Sequence, residues 1–264
     1  MIAGRLLSLV LLLLALPAAA RDAPWLVVPP ALADIARSFA GPSTRIDAKE
    51  DEDAILAYCL SLGAQAPDGL LTTRRLLDRE RRQCQAEAID PDPARQLGLA
   101  GLALEAAPFP LTRRQLWRAL APEVSVNGRL VANGTRHWHE IDPALPDRPI
   151  AVRLTAPHAL IEALVMAPGC LGAPDYARLD RRRLCRGIRS DIPESPEPVI
   201  LGPLAGGGQP IEGVSPTAVD LASGRYPLAR RVYLYVKKPH IPGIAGLSDL
   251  LTREAPGLMP VPTP

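Results

Sequence analysis

Apolar residues recur along this chain with two different periods, which separate predicted helices from predicted strands. Leu32, Ala36 and Phe39 lie on one helical face and predict a helix over residues 30–40. Apolar residues alternate along 232–236, as in a strand. The same criteria predict helices over 51–62, 78–88, 112–121, 159–166 and near 244–251, and strands over 67–71, 97–106, 149–153 and 199–204. This alternation indicates an α/β fold with a mostly parallel sheet.

The first 20 residues have the pattern of a cleavable secretory signal. Arg5 supplies the positive charge, residues 6–16 form an apolar run, and residues 18–20 are alanines suited to cleavage. An uncleaved membrane anchor is the alternative, but the run is shorter than the ~20 residues that a span needs. We therefore expect a secreted, periplasmic protein.

Charge and composition exclude some classes of function. Without Arg5, the chain has 29 basic and 28 acidic residues, a balance that argues against a nucleic-acid-binding surface. The basic runs at 74–75, 79–82 and 181–183 are most simply solvated helix faces. An apolar content of 47% is too high for a disordered chain.

The chain has four cysteines, in two local pairs: Cys59 with Cys84 and Cys170 with Cys185. An even number of cysteines behind a signal sequence favours disulfides. Three pairings are possible, and the spacing favours the two local ones. Metal binding is the alternative, although no Cys-x-x-Cys motif occurs.

Several blocks of the sequence resemble the periplasmic phosphate-binding proteins, the solute receptors of phosphate ABC transporters. Residues 221–238 (LASGRYPLARRVYLYVKK) resemble that family's SGxYPLSRPLYLYVKK segment. Residues 109–116 (FPLTRRQL) resemble its FPLTREQLF, and residues 138–146 (WHEIDPALP) its WNEIDPSLP. Residues 165–170 (VMAPGC) and 185–191 (CRGIRSD) resemble its VMEPGC and CRxIRxD, and residues 68–84 follow its DIxxASRxIxxxE…C pattern.

The resemblance implies a two-lobed periplasmic-binding-protein fold, each lobe a mostly parallel sheet flanked by helices. Lobe 1 would comprise residues 21–108 and 206–264, and lobe 2 residues 109–205. The implied function is capture of an oxyanion, most readily phosphate, for the membrane permease of an ABC transporter, by a monomer without cofactor or enzymatic activity. The alternative is a degenerate homologue without phosphate affinity, which acts as an interaction protein or binds a different small ligand.

The stretches that hold the oxyanion in that family are altered here. Its GSSTVYP turn corresponds to residues 24–30 (PWLVVPP), and its STGTGGG loop to residues 48–54 (AKEDEDA), which include the acidic run Glu50–Asp53. Its SGTRDAF segment corresponds to residues 155–160 (TAPHAL). The candidate ligand-binding residues are therefore Thr73, Arg74 and Thr155, with Arg153 and His158 as replacement charges.

Other combinations of reactive residues point to no further site. His137 and His139 stand two residues apart near Glu140 and Asp142, but no third spaced metal ligand is evident, so we expect no metal site. No Gly-x-Ser-x-Gly or Ser-x-x-Lys motif indicates a hydrolase. Asn133-Gly134-Thr135 matches a glycosylation sequon, and a tight turn is the better interpretation.

Overall fold

The computed structural model describes residues 23–61, 66–126, 129–132, 137–171, 187–189, 192, 196–205, 207–237 and 247–261. The predicted signal sequence lies outside these residues, as do Cys185, the Asn133-Gly134-Thr135 sequon and the basic run 181–183. Among the described residues, no helix combines the length and the apolar character that crossing a membrane requires.

The described strands form a seven-stranded sheet and a separate hairpin. The strands are β1 (Trp25–Val28), β2 (Arg45–Ala48), β3 (Gly69–Thr72), β4 (Arg95–Ala106), β5 (Glu123–Val126), β6 (Arg129–Ala132), β7 (Val152–Leu154), β8 (Val199–Pro203) and β9 (Ala229–Val236). The sheet has the order β2-β1-β3-β9-β4-β8-β7, and β5 pairs with β6. Pairs at both ends are parallel, whereas β9 and β4 run antiparallel to their neighbours on each side.

Helices flank this sheet and confirm the predicted α/β class. They are α1 (Ala33–Ala40), α2 (Asp51–Leu60), α3 (Asp78–Ala86), α4 (Arg113–Leu120), α5 (Trp138–Ile141), α6 (His158–Ile161), α7 (Ala167–Leu171), α8 (Ala218–Ser223) and α9 (Leu247–Thr252). A 3₁₀ turn at Pro30–Leu32 precedes α1, and a π-helical segment at Glu162–Met166 joins α6 to α7.

The long strand β4 connects the two parts of the sheet. Its residues from Arg95 to Gly101 pair with β9, and those from Leu102 to Ala106 pair with β8. The small residues of β4 allow close packing: a Cβ on Gly98 would lie 2.7 Å from the carbonyl oxygen of Met259, which forms an antiparallel bridge with Leu99. The C-terminal strand β9 thus lies between β3 and β4, and the division into lobes at residues 109 and 206 stays a prediction.

Local sequence signals explain several of these elements. The Thr112 hydroxyl accepts a hydrogen bond from Gln115 N at 3.2 Å, and Gln115 Oε1 accepts one from Thr112 N at 2.8 Å, so the predicted capping box begins α4. Trp138 is buried at the start of α5 and packs edge-on against Phe109, with ring centroids 5.4 Å apart. This aromatic contact anchors the loop that follows α5.

A disulfide joins α2 to α3. It links Cys59 to Cys84, one of the two pairs favoured by the spacing, across 25 residues of sequence. Cys170 is also disulfide-bonded. Its predicted partner Cys185 lies outside the described residues.

Candidate functional site

Three connections leave the same edge of the sheet, because β1, β2 and β3 run parallel. The 3₁₀ turn at Pro30–Leu32 follows β1, α2 follows β2, and Thr73 and Arg74 follow β3. Ligands of open α/β sheets bind outside the carboxyl ends of such strands. This edge is therefore the first place to search for a site.

The turn after β1 has few N–H groups to offer. Pro29 and Pro30 have no N–H, and the N–H of Leu32 donates to the Pro29 carbonyl at 2.9 Å. The Leu32 side chain is fully buried in the main core. This turn therefore offers an anion few N–H hydrogen-bond donors.

Arg74, the strongest predicted ligand residue on this edge, already forms an ion pair within the protein. Its Nη1 and Nη2 donate to Glu80 Oε2 and Oε1 at 2.7 and 2.8 Å, a bidentate pair that connects the end of β3 to α3. Glu80 also accepts from Leu77 N at 2.7 Å. The hydrogen bonds from Arg74 are the largest reason that the pKa of Glu80 lies below its ordinary value.

The acidic run Glu50–Asp53 divides between two environments at the start of α2. Asp51 is half-buried and close enough to Arg74 and Glu80 to feel both charges, and its burial raises the pKa of the carboxyl group. Its Oδ1 is shielded from solvent and has no hydrogen-bond partner among the described residues. Glu52 is exposed and pairs with Arg79 of α3 at 3.2 Å. Acids in a first helical turn also stabilise the helix.

Thr73 directly precedes Arg74 in sequence. It is half-buried, and its hydroxyl makes no hydrogen bond to the described part of the chain. The edge after β3 thus holds the candidate residues Thr73 and Arg74 together with two acids, Asp51 and Glu80.

The remaining predicted residues lie at the end of β7 and the start of α6. Arg153 and His158 are exposed, and neither has a carboxylate partner within the described ranges. The Thr155 hydroxyl donates to the Leu201 carbonyl at 3.3 Å. A Cβ placed on Gly202 would collide with both Thr155 Oγ1 and the Glu105 carboxylate, so Gly202 leaves room for an acid beside Thr155.

A packed contact joins the turn after β1 to the helix that follows β7. The turn at Pro30–Leu32 contacts α6, and Leu32 and Leu160 belong to the same buried core. Apolar side chains therefore extend the core where the turn after β1 meets α6. The Arg74 guanidinium donates to the Arg75 carbonyl and to Glu80, and it makes no hydrogen bond to Arg153, Thr155 or His158.

Sequence reasoning missed two acidic residues that contact the candidate residues. The first is Glu80, although its place six residues after Arg74 in the family-like block was a usable signal. The second is Asp147, whose Oδ1 contacts Nδ1 of both His137 and His139. The expected absence of a third potential metal ligand was therefore wrong, because a loop brings Asp147 back to the histidine pair.

Neither a family model nor a curated protein matches this sequence. The structure, however, is similar to that of a possible phosphate binding protein from Planctomyces limnophilus, with a TM-score of 0.53 over 83% of this chain and 82% of that one, at 16% identity. The chain has a periplasmic-binding-protein fold. Its sheet and flanking helices are those of the predicted α/β class.

Two further solved structures are more distant. An ABC-type phosphate transport receptor from Vibrio cholerae aligns with a TM-score of 0.47 at 15% identity, over 87% of this chain and 93% of that one. The PstS protein from Borrelia burgdorferi aligns with a TM-score of 0.44 at 12% identity, over 88% and 93%.

Proposed function

We propose that this chain is a secreted solute-binding protein that captures a small oxyanion, with phosphate the first candidate, and delivers it to the membrane permease of an ABC transporter. The observation that carries the proposal is the fold shared with a possible phosphate binding protein. Because one fold serves many functions, the ligand must be argued from the residues themselves.

Two exposed basic side chains at the end of β7 favour an anionic ligand, against the opposing charge of the Glu105 carboxylate beside Thr155. Arg153 and His158 are exposed there without a carboxylate partner in the described residues, and Thr155 lies between them in sequence. The helical run 158–171 begins at the same place, and helix N-termini favour negative charge. We infer that Arg153, Thr155 and His158 would hold the ligand from one lobe, while Thr73 and Arg74 approach from the other. Closure of the lobes around the ligand would couple binding to delivery.

The second candidate is a homologue without phosphate affinity, which acts as an interaction protein or binds another small ligand. The Arg74–Glu80 pair favours it, because the guanidinium already has a bidentate carboxylate partner and Asp51 lies nearby. A carboxylate at ~4 Å raises the energy of a bound anion by about 4 kcal/mol at an effective dielectric constant near 20. Such a site would favour a neutral or cationic ligand.

Calorimetric titration of ligand-stripped, refolded protein with phosphate tests the proposal. We expect a dissociation constant of about 1 μM, weakened at least tenfold by Arg153→Ala. Arg37→Ala is the matched control, because Arg37 lies on α1 and forms an ion pair with exposed Asp34.

The second candidate predicts binding no tighter than about 1 mM for the unmodified protein. Asp51→Asn should then strengthen phosphate binding, while Glu52→Gln should not, because Glu52 faces outward to Arg79. If neither variant binds phosphate, phosphate is not the ligand.

A further inference from the structure

Two imidazoles converge on one carboxylate in the segment around α5. His139 Nδ1 lies 2.9 Å from Asp147 Oδ1, and His137 Nδ1 contacts the same oxygen. One ligand atom from each of the three residues falls within 4.8 Å of the others. The two rings stand nearly perpendicular, with centroids 5.8 Å apart, so both can face a common point.

An ion pair does not explain this arrangement completely. His139 Nδ1 is shielded from solvent yet has no hydrogen-bond partner of acceptable geometry among the described residues. Polar atoms in such positions are normally satisfied, by protein, by water or by an ion. A cation bound between the three side chains would satisfy Nδ1 of both histidines and the carboxylate together.

Backbone hydrogen bonds fix the segment that carries the three side chains. Trp138 N donates to the Arg148 carbonyl at 2.9 Å, and His137 forms an antiparallel bridge with Pro149. Inside the loop, Leu145 N donates to the Asp142 carbonyl at 2.9 Å. Because Trp138 is buried, this loop is anchored to the core, and a rigid support of this kind is what a ligand site requires.

We propose that His137, His139 and Asp147 form a binding site for a divalent transition-metal ion, with Zn²⁺ as the ion that tests it. Imidazole nitrogen suits zinc, whereas Mg²⁺ and Ca²⁺ prefer oxygen ligands throughout. Zn–N and Zn–O bonds of about 2.0–2.1 Å place tetrahedral ligand atoms about 3.3 Å apart, so the contacts of both histidines with Asp147 lengthen when an ion enters.

The site would keep an open coordination position. The side chains of His137, His139 and Asp147 are 42%, 43% and 69% exposed, so an ion can enter from solvent. Three protein ligands leave a fourth tetrahedral position for water or for a donor from another molecule.

Titration of the untagged, chelator-treated chain with Zn²⁺ tests the proposal. We expect one ion per chain with a dissociation constant of about 1 μM, and no competition from excess Mg²⁺. His139→Ala and Asp147→Asn should each weaken binding at least tenfold. The matched control is Asp92→Asn, which removes another exposed acid, paired with Arg81. Circular dichroism should show that all variants stay folded, because the altered side chains are exposed.

Co²⁺ provides a second measurement that depends on the ligand set. Its visible absorption should report nitrogen and oxygen ligation in the unmodified chain, and that spectrum should disappear in His139→Ala. Absence of zinc binding, or zinc binding of equal affinity in the His139→Ala and Asp147→Asn variants, would overturn the assignment.

Discussion

Replacing Glu80 with glutamine removes the charge at the centre of the Arg74 network while it keeps the side chain's size. Glu80 is 5% exposed and accepts three hydrogen bonds, two from Arg74 and one from Leu77 N. Glutamine offers only one acceptor oxygen and places an amide N–H₂ group toward the guanidinium. The Arg74 charge would then lose its closest carboxylate.

The expected loss of stability follows from the burial of the pair. Hydrogen bonds to charged groups contribute about 1.5–3 kcal/mol, and breaking a fully buried ion pair costs about 3–5 kcal/mol. Because the Arg74 side chain is 31% exposed, solvent screens part of this interaction. We expect the free energy of unfolding to fall by about 2 kcal/mol near pH 7, and the Tm by roughly 4–8 °C.

The effect should depend on pH with a defined sign. Arg74 holds the pKa of Glu80 below its ordinary value of 4.5, so the carboxylate stabilises the fold fully above that pH. The contribution is lost as the pH falls through the folded-state pKa. The difference between the unmodified chain and Glu80→Gln should therefore be constant near neutral pH and shrink below 4.5.

Urea unfolding followed by circular dichroism at about pH 7 and about pH 3.5 measures both effects. Asp34→Asn is the control, because Asp34 and its partner Arg37 are 78% and 61% exposed. Its effect should stay within about 0.5 kcal/mol. The reasoning is refuted if Glu80→Gln is as stable as the unmodified chain at pH 7, or if the difference persists unchanged at low pH.

Two further predictions concern packing and covalent structure. Gly169→Ala should lower the free energy of unfolding by about 1–3 kcal/mol in urea titrations, because the added Cβ would collide with Trp117. Gly207→Ala is the control and should have little effect, because nothing lies within 4 Å of a Cβ at that position. Equal stability of the two variants would contradict the packing of α7 on α4. Replacing both Cys59 and Cys84 with alanine should lower the free energy of unfolding by about 3 kcal/mol in the same titrations, given their sequence separation of 25. Unchanged stability after that double substitution would contradict this expectation.

Elements with a clear period could be predicted from sequence. The helix spacing around Phe39, the capping box at Thr112 and the alternation in β9 each reflect a local rule, and the structure has an element at each place. Strand β2 could not be predicted, because its four residues (RIDA) are exposed or half-buried and show no apolar alternation. The β5–β6 hairpin and α8 were also not predicted.

The candidate site was predicted only in part, for a different reason. Residue type and resemblance identified Arg74 and His137, but the charge that each one meets depends on how the segment just after it folds back. Glu80 reaches Arg74 because α3 packs near the end of β3, and Asp147 reaches His137 because the segment around 148–149 pairs with residues 137–138. No local periodicity encodes such pairings.

The Arg74–Glu80 pair therefore connects stability to the choice of ligand. If the edge after β3 takes part in anion binding, Glu80→Gln should release the guanidinium and strengthen phosphate binding even as it lowers the free energy of unfolding. General damage to the fold would weaken both quantities together, so opposite changes identify a local effect. If phosphate affinity falls or stays the same in Glu80→Gln, Arg74 is a structural residue, and the ligand must be held by Arg153, Thr155 and His158 or by none of the predicted residues.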